Sequence, residues 1–429
     1  SIMKNEISGS SPIVKKFEEN TAKEFDRKYA SAVSNGSVAL DLAFQSLNLS
    51  DEDEIIIPSF TIISALAAVI RSGGKPVFCD VDHKTWNMTI DSVKGLITKN
   101  TKAILLVHTY GLPADASEIE KLCIENNIEL IEDSAEAHGQ FYENRKCGSF
   151  GKISTMSFYA NKHVTSGEGG MILTNDEDIY KLINQMKNLD FSQDRFKHKN
   201  LYWNYRLGGL QAALGNSQLN NMRKTISQKI EQGNYYNELL KDYSDILQIP
   251  ELSYKGSVNH YWVYGIVLKK QDIRDKLIND LMNQGIETRP FFHPLHLQDA
   301  LPKKFSNNLK LPVSENIGKN GLYLPLVNHL KKSDQNFNIQ SNLTLDTISL
   351  KKQDFISAFF PSANDNINLR NQKLNIKYNN KKLSLAGEGK IKVDDEFESI
   401  KYLISTKDKK INFDLDLNLD KTDFEINSF

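Results

Sequence analysis

Short apolar and β-branched runs recur along the first part of the chain: EIIIP from residue 54, PVFCDV from 76, AILLVH from 103, IELIED from 128 and GMILT from 170. Each is too short for a helix and predicts a buried strand. The gaps between them carry a helical period instead, in VALDLAFQSL, ISALAAVIRS, IDSVKGLI and ADASEIEKLCIENN. Strands alternating with helices predict an α/β domain built on a mostly parallel sheet. The stretch GLQAALGNSQLNNMRKTISQKIEQGNYYNELLKDY, residues 209–243, predicts a long helix leading into a smaller domain. Near the end the pattern changes. NQKLNIKYNNKKLSLAGEGKIKV and KKINFDLDLNLDKTDFEINSF alternate polar and apolar positions, which predicts antiparallel hairpins with YNNKK as a turn. The expected organisation is a large α/β domain over 1–225, a small domain over 226–332 and an unrelated β-rich tail over 333–429.

Composition narrows the function classes. A formal net charge of −1 over 429 residues gives no field for nucleic acid or an anionic membrane surface. Cys79, Cys123 and Cys147 lie far apart without a CxxC pair, the pattern of reduced thiols in a cytoplasmic protein. Apolar runs such as ISALAAVI stop short of the ~20 residues that span a bilayer. The start, SIMKNEISGS, has neither a secretion signal nor an initiator methionine, so a truncated N-terminus is expected.

In parallel sheets ligands collect at the carboxyl ends of strands. Asp133 closes IELIED, His108 closes AILLVH, and Asn35, Gly36 and Ser37 precede a predicted helix whose free N–H groups form an anion site. Taken singly, each has an ordinary reading as a helix cap or a satisfied structural histidine. Lys162 lies between a strand-like run and the glycine-rich loop in SFYANKHVTSGEGGM, where an exposed loop lysine is the ordinary reading. Together, a strand-end carboxylate, a lysine downstream of it and a phosphate cradle are what pyridoxal 5'-phosphate requires. No metal-ligand spacing is present, and no metal is expected.

The strings VSNGSVALDLAF, PSFTIISALAAVIRSGGKPVFCDVD, VHTYGLPAD, IEDSAEAHG, SFYANKHVTSGEGGM and NYRLGGLQAALGNSQL occur in order over about residues 8–330. Together they resemble the DegT/DnrJ-type sugar aminotransferases of the fold type I architecture. The resemblance implies that Lys162 forms the Schiff base with pyridoxal 5'-phosphate and carries protons, and that Asp133 pairs with the pyridine nitrogen. It also implies that Glu136 faces the phenolic oxygen and that Gly36, Ser37 and Ser157 hold the phosphate. Asn204 would reach the phosphate of a neighbouring subunit, making a homodimer with shared active sites. Ile62 stands where many relatives place an aromatic residue over the cofactor ring, with Phe60 as an alternative cover. The segment GIETRPFFHPLHLQ, residues 285–298, resembles that of GDP-perosamine synthases and nominates Arg289 and His296 as nucleotide-sugar contacts. For these two the ordinary readings are a surface ion pair and a packing role. The implied reaction moves an amino group from glutamate to C4 of a nucleotide-linked 4-keto-6-deoxyhexose, as in O-antigen sugar synthesis.

Two other readings compete. Related sugar dehydratases carry histidine in the lysine slot, and here His163 follows Lys162, although the spacing to GEGG favours the lysine. An inactive or regulatory pyridoxal-phosphate protein is the second, because relatives carry a further stretch before the equivalent of ISGSSPIVKKFE that helps to form the active site. Relatives also close the small domain with one more helix after GLYLPLVNHL, where this chain runs into its β-rich tail. The tail faintly resembles the repeats of AsmA-like envelope proteins. An appended module and a chimeric or truncated chain are the alternatives, with the second favoured and no catalytic role expected.

Overall fold

The computed structural model describes residues 5–192, 194, 196–305, 308–326, 339–351, 366–379, 382–393, 396–407 and 410–418. They fall into two compact units, Ser1–Asn328 and His329–Phe429.

Seven strands form the main sheet of the first unit: β1 (Tyr29–Val33), β2 (Glu54–Pro58), β3 (Lys75–Cys79), β4 (Thr101–Val107), β5 (Glu129–Asp133), β6 (Ile153–Ser157) and β7 (Gly170–Thr174), in the order β1-β7-β6-β5-β4-β2-β3. Only β7 runs against its neighbours; β2 to β6 are parallel. Helices α1 (Pro12–Glu24), α2 (Gly36–Gln45), α3 (Ile63–Arg71), α4 (Ile90–Lys94), α5 (Ala116–Asn126) and α6 (Glu177–Met186) connect or cover them.

The strand runs are apolar throughout because both faces are buried. On β2, Ile55 and Ile57 join the core that includes Leu42, Phe44 and Leu66, while Ile56 joins the opposite core with Met88 and Ile119. On β4, Leu105 and Leu106 divide in the same way. The period of two thus sorts one apolar run into two cores. β1 was not anticipated, since YASAV lacks a branched apolar run, and the strand ahead of Lys162 starts earlier than its apolar residues suggest, at Ile153. Their buried hydroxyls are satisfied internally: Ser31 Oγ donates to Asn184 Oδ1 at 3.0 Å and Ser154 Oγ to Glu132 Oε2 at 2.7 Å.

Helix α7 (Gly209–Leu240) is the long predicted helix; its 32 residues, about 48 Å of axis, run past residue 225 without a break. A second sheet, β8 (Leu247–Gln248), β9 (Tyr264–Leu268), β10 (Arg289–Pro290) and β11 (Gly321–Leu324), in the order β8-β9-β11-β10, packs with α8 (Arg274–Asn283) and α9 (Pro312–Asn320). Residues of the expected large and small domains share one compact unit. Trp86 and Tyr110 from the first part cluster with Trp262 and Phe291 from the second.

The second unit is an antiparallel meander of β12 (Ile339–Lys351), β13 (Asn366–Asn379), β14 (Lys382–Val393), β15 (Glu396–Lys407) and β16 (Lys410–Asn418). Asn379 pairs with Lys382, the register that a turn at YNNKK requires, although residues 380–381 lie outside the described ones. A bulge between Arg370 and Lys373 is filled by the buried Gln372, whose amide donates to the carbonyls of Arg370 at 2.8 Å and Lys390 at 3.1 Å. The segment after GLYLPL, where the family resemblance implies a closing helix, lies at 327–338, also outside the described residues. Among the described residues no helix is long and apolar enough to cross a membrane.

Candidate active site

Three chain segments meet at the carboxyl edge of the parallel strands. The first is the end of β1 with the start of α2. Asn35 caps the helix, its Oδ1 accepting from the Val38 amide at 2.9 Å. The amides of Gly36 and Ser37, in the first turn, have no carbonyl behind them to bond and sit at the positive end of the helix dipole. Gly36 is required by contact: a Cβ there would lie 2.7 Å from Ser157 Cβ and 3.1 Å from Ser157 Oγ. The bare backbone lets α2 approach the end of β6, so Gly36, Ser37 and Ser157 form one half-buried cluster. Ser37 Oγ also meets Ser64 Oγ, in the first turn of α3, at 2.6 Å. Ser64 is a polar member that sequence reading missed, since a serine in a helical first turn carries no distinguishing signal.

The second segment is the end of β5. Asp133 is buried and its Oδ1 accepts from the Ala135 amide at 3.0 Å; burial pushes its carboxyl up, opposed by that bond and by Lys162. Glu136 Oε2 accepts from the Tyr110 amide at 3.0 Å. Tyr110 holds φ 60°, a left-handed conformation uncommon for an aromatic residue, while Gly111 (φ 105°) passes where a Cβ would meet the Tyr261 amide nitrogen at 2.6 Å. Burial, opposed by Lys162 and by the Tyr110 amide, pushes the Glu136 carboxyl up to about 7.

The third segment is the loop after β6. Lys162 Nζ lies 3.5 Å from Glu136 Oε1 and 3.6 Å from the centroid of the Trp262 ring, with its side chain 8% exposed. Burial lowers its pKa against the pull of Glu136 and Asp133. The next residue is directed elsewhere: His163 Nε2 pairs with the His260 carbonyl at 3.1 Å, and burial holds its ring neutral. The lysine, and not the histidine, shares the pocket with the two carboxylates.

The remaining candidates separate. Ile62, the N-cap residue of α3, is 41% exposed and available to cover a ring. Phe60 is fully buried against Tyr110, Phe291 and Phe292, so it serves the core and cannot be the alternative cover. Asn204 is exposed and bridges to Asn188. Arg289 is exposed, pairing with Glu287 at 2.9 Å; its strand partner is Tyr323, which lies within electrostatic range of Glu136 and Tyr159. His296 is buried: its Nδ1 meets Ser59 Oγ at 2.6 Å and its Nε2 meets Glu315 Oε1 at 3.4 Å, so both ring nitrogens have partners within the chain.

His108, the other strand-end candidate, is structural too. Its Nε2 meets Glu132 Oε1 at 2.9 Å and its Nδ1 accepts from the Ala114 amide at 3.0 Å. Glu132 also accepts from the amides of Gly148 and Phe150 and from Ser154, with Arg27 at 3.9 Å. Burial works against its charge, but His108, Arg27 and the amides outweigh it and hold the carboxyl below its ordinary range.

A cofactor with an anionic phosphate, a basic ring nitrogen and an aldehyde fits this donor set. Gly36 leaves room beside two free amides and two hydroxyls, Asp133 supplies a buried carboxylate, and Lys162 supplies a buried amine.

Comparison with known proteins points the same way. The model of the DegT/DnrJ/EryC1/StrS aminotransferase family matches residues 1–341. GDP-perosamine synthase of Escherichia coli O157:H7 is 38% identical over 320 residues, covering 74% of this chain and 86% of that protein. Among solved structures, the aminotransferase from Psychrobacter cryohalolentis matches at a TM-score of 0.72 and 29% identity, covering 78% of this chain and 91% of the other. The E. coli GDP-4-keto-6-deoxy-D-mannose-3-dehydratase with bound hydrated PLP matches at 0.69 and 29%, covering 75% and 89%. A match running through the whole first compact unit, on a site with lysine in the pocket, makes this chain a member of the DegT/DnrJ/EryC1/StrS aminotransferase family.

Proposed function

We propose that the protein transfers an amino group from glutamate to C4 of a GDP-linked 4-keto-6-deoxyhexose, using pyridoxal 5'-phosphate. One observation carries the reading: the amine of Lys162 is buried with Asp133 and Glu136 at the carboxyl edge of the sheet, the edge at which α2 begins.

Pyridoxal 5'-phosphate, when bound, supplies an aldehyde that condenses with amines and a ring that delocalises the charge left when a proton leaves carbon. Lys162 is the residue assigned to carry it, and then to move a proton with its freed Nζ. Burial lowers the pKa of that amine, which raises the neutral fraction able to accept a proton near neutral pH. Asp133 would keep the ring nitrogen protonated, and Glu136 would face the phenolic oxygen. The Gly36 and Ser37 amides with the Ser37 and Ser157 hydroxyls would fix the phosphate, and Ile62 would cover one ring face by dispersion. Arg289, exposed and free to leave Glu287, is assigned to the diphosphate of the sugar nucleotide.

A homodimer is part of the proposal. Asn204 is exposed, as are Phe196 (80%) and Leu201 (97%) in the loop before it, which supports a second subunit covering this region and receiving Asn204 at its phosphate site. Three buried free cysteines suit a reducing cytoplasm, and the product would feed O-antigen assembly.

The test is borohydride reduction of the protein loaded with pyridoxal 5'-phosphate, followed by peptide mapping. A label on any residue other than Lys162 overturns the mechanism. Turnover is then read as glutamate-dependent amination of GDP-, UDP- and dTDP-linked 4-ketosugars. Success with a UDP or dTDP sugar and failure with GDP displaces the narrow assignment, and bound cofactor without turnover favours the regulatory reading.

A further inference from the structure

Lys162 reaches its pocket over an aromatic floor that the family motifs do not include. Its Nζ lies 3.6 Å from the Trp262 ring centroid, within the range of a strong cation–π contact, and Glu136 Oε1 lies 3.5 Å away. The indole is itself fixed. Its Nε1 donates to the carbonyl of Asn161, the residue before Lys162, at 3.1 Å, and its own carbonyl accepts from Lys229 Nζ at 2.7 Å. Trp262 is 6% exposed and packs against the Tyr110 ring at 5.8 Å. Lys229, on α7, is 4% exposed, a second buried amine.

We propose that the face of Trp262 seats the Lys162 amine whenever that amine is not joined to the cofactor, and that Lys229, through the Trp262 carbonyl, tunes this seat. Trp262 and Lys229 are positioning residues, and the inference rests on the reading of Lys162 as the cofactor-carrying lysine. An amine that leaves and rejoins a cofactor in each half-reaction needs a defined place to wait. The indole face supplies it without a hydrogen bond that must be broken on return, and it favours the ammonium form. The groups facing the amine act in opposite senses. Glu136 and Asp133 favour the charged form, Lys229 disfavours it by like charge, and His138, held at about 3 by burial and by Lys162, stays neutral. Lys229 itself is drawn down to about 8 by burial and by the like charge of Lys162.

The test uses the cofactor-free full chain and follows the rate at which pyridoxal 5'-phosphate, fixed with borohydride, labels Lys162 as a function of pH. Only the neutral amine reacts, so the midpoint of the profile reports its pKa. Trp262→Leu removes the π face and is expected to lower the midpoint by about one pH unit, a tenfold faster reaction on the acidic limb. Trp262→Phe keeps a π face and loses the Asn161 bond; its midpoint stays near that of the parent. Lys229→Met removes the like charge and raises the midpoint. A role confined to packing would not shift the two profiles in opposite directions. Midpoints unchanged in both variants, or moved the same way, overturn the proposal. If Trp262→Leu does not fold, Lys229→Met and Trp262→Phe still decide it, because a midpoint in Lys229→Met at or below the parent's is sufficient to reject it. Absence of label from Lys162 in the parent protein instead defeats the reading on which the inference rests.

Discussion

Gly36→Ala isolates the close approach of α2 to β6. The added Cβ would sit 2.7 Å from Ser157 Cβ, about 1 Å inside the ordinary carbon–carbon separation of roughly 3.5–4.0 Å. Overpacking of this kind costs about 1–3 kcal/mol, while replacing glycine by alanine within a helix returns about 0.5–1 kcal/mol. The expected net loss is therefore about 0–2.5 kcal/mol. Gly95 is the control: it ends α4 with φ −77°, and its Cβ would meet nothing within 4 Å. Gly95→Ala should be neutral or slightly stabilising. Urea midpoints at constant m-value measure both. The second readout is cofactor affinity by titration. Displacing Ser157 and the Gly36 amide weakens bonds to a charged phosphate, each worth about 1.5–3 kcal/mol, so affinity should fall about ten- to a hundredfold in Gly36→Ala alone. If Gly36→Ala and Gly95→Ala match in stability and affinity, the phosphate is not held at this contact.

Other substitutions probe other parts of the molecule. Glu132→Ala leaves buried Arg27 and several amides without their acceptor, and should cost about 3–5 kcal/mol in thermal unfolding, with loss of soluble protein. Arg289→Ala should leave stability within about 0.5 kcal/mol yet raise KM for the sugar nucleotide about tenfold, with KM for glutamate unchanged. Glu136 takes up a proton on folding, since burial raises its pKa from 4.5 to about 7. Its stabilising contribution is complete below pH 4.5 and lost as the pH rises through 7, a loss of up to roughly 3 kcal/mol. The stability of cofactor-free Glu136→Gln should lack that slope between pH 5 and 8. The slope is the readout because glutamine also removes the counter-charge of Lys162.

What could be read from the chain was what depends on neighbours in sequence. The apolar strand runs, the α2 cap at Asn35 and the placement of Asp133 at a strand end are local, and all three stand where the pattern puts them. Contacts between distant segments could not be read. Trp262 lies 101 positions from Asn161, and nothing in NHYWVYGI marks it as the floor beneath Lys162. Phe60 stands as an alternative to Ile62 for covering the cofactor because it is apolar and two positions away; only the Tyr110, Phe291 and Phe292 rings show that Phe60 turns inward. His296 resembles a ligand residue in sequence, but Ser59, 237 positions away, claims its ring. YASAV was missed because its polar side chain bonds inside the fold, so polarity misreports burial.

Glu132 and Asp133 are adjacent acids on one strand, and the pleat sends them to opposite sides. One is locked into the scaffold by Arg27, His108 and two amides; the other is left with a single backbone bond beside Lys162. A slip of β5 by one residue would exchange them, bringing the acid in the Glu132 position to the ligand side and burying aspartate where the longer side chain is needed to span its partners. The scaffold carboxylate therefore acts as a gauge for the reacting one. Mutations that spare every residue in the pocket but shift this strand's pairing should abolish activity while leaving the acidic content of the strand unaltered.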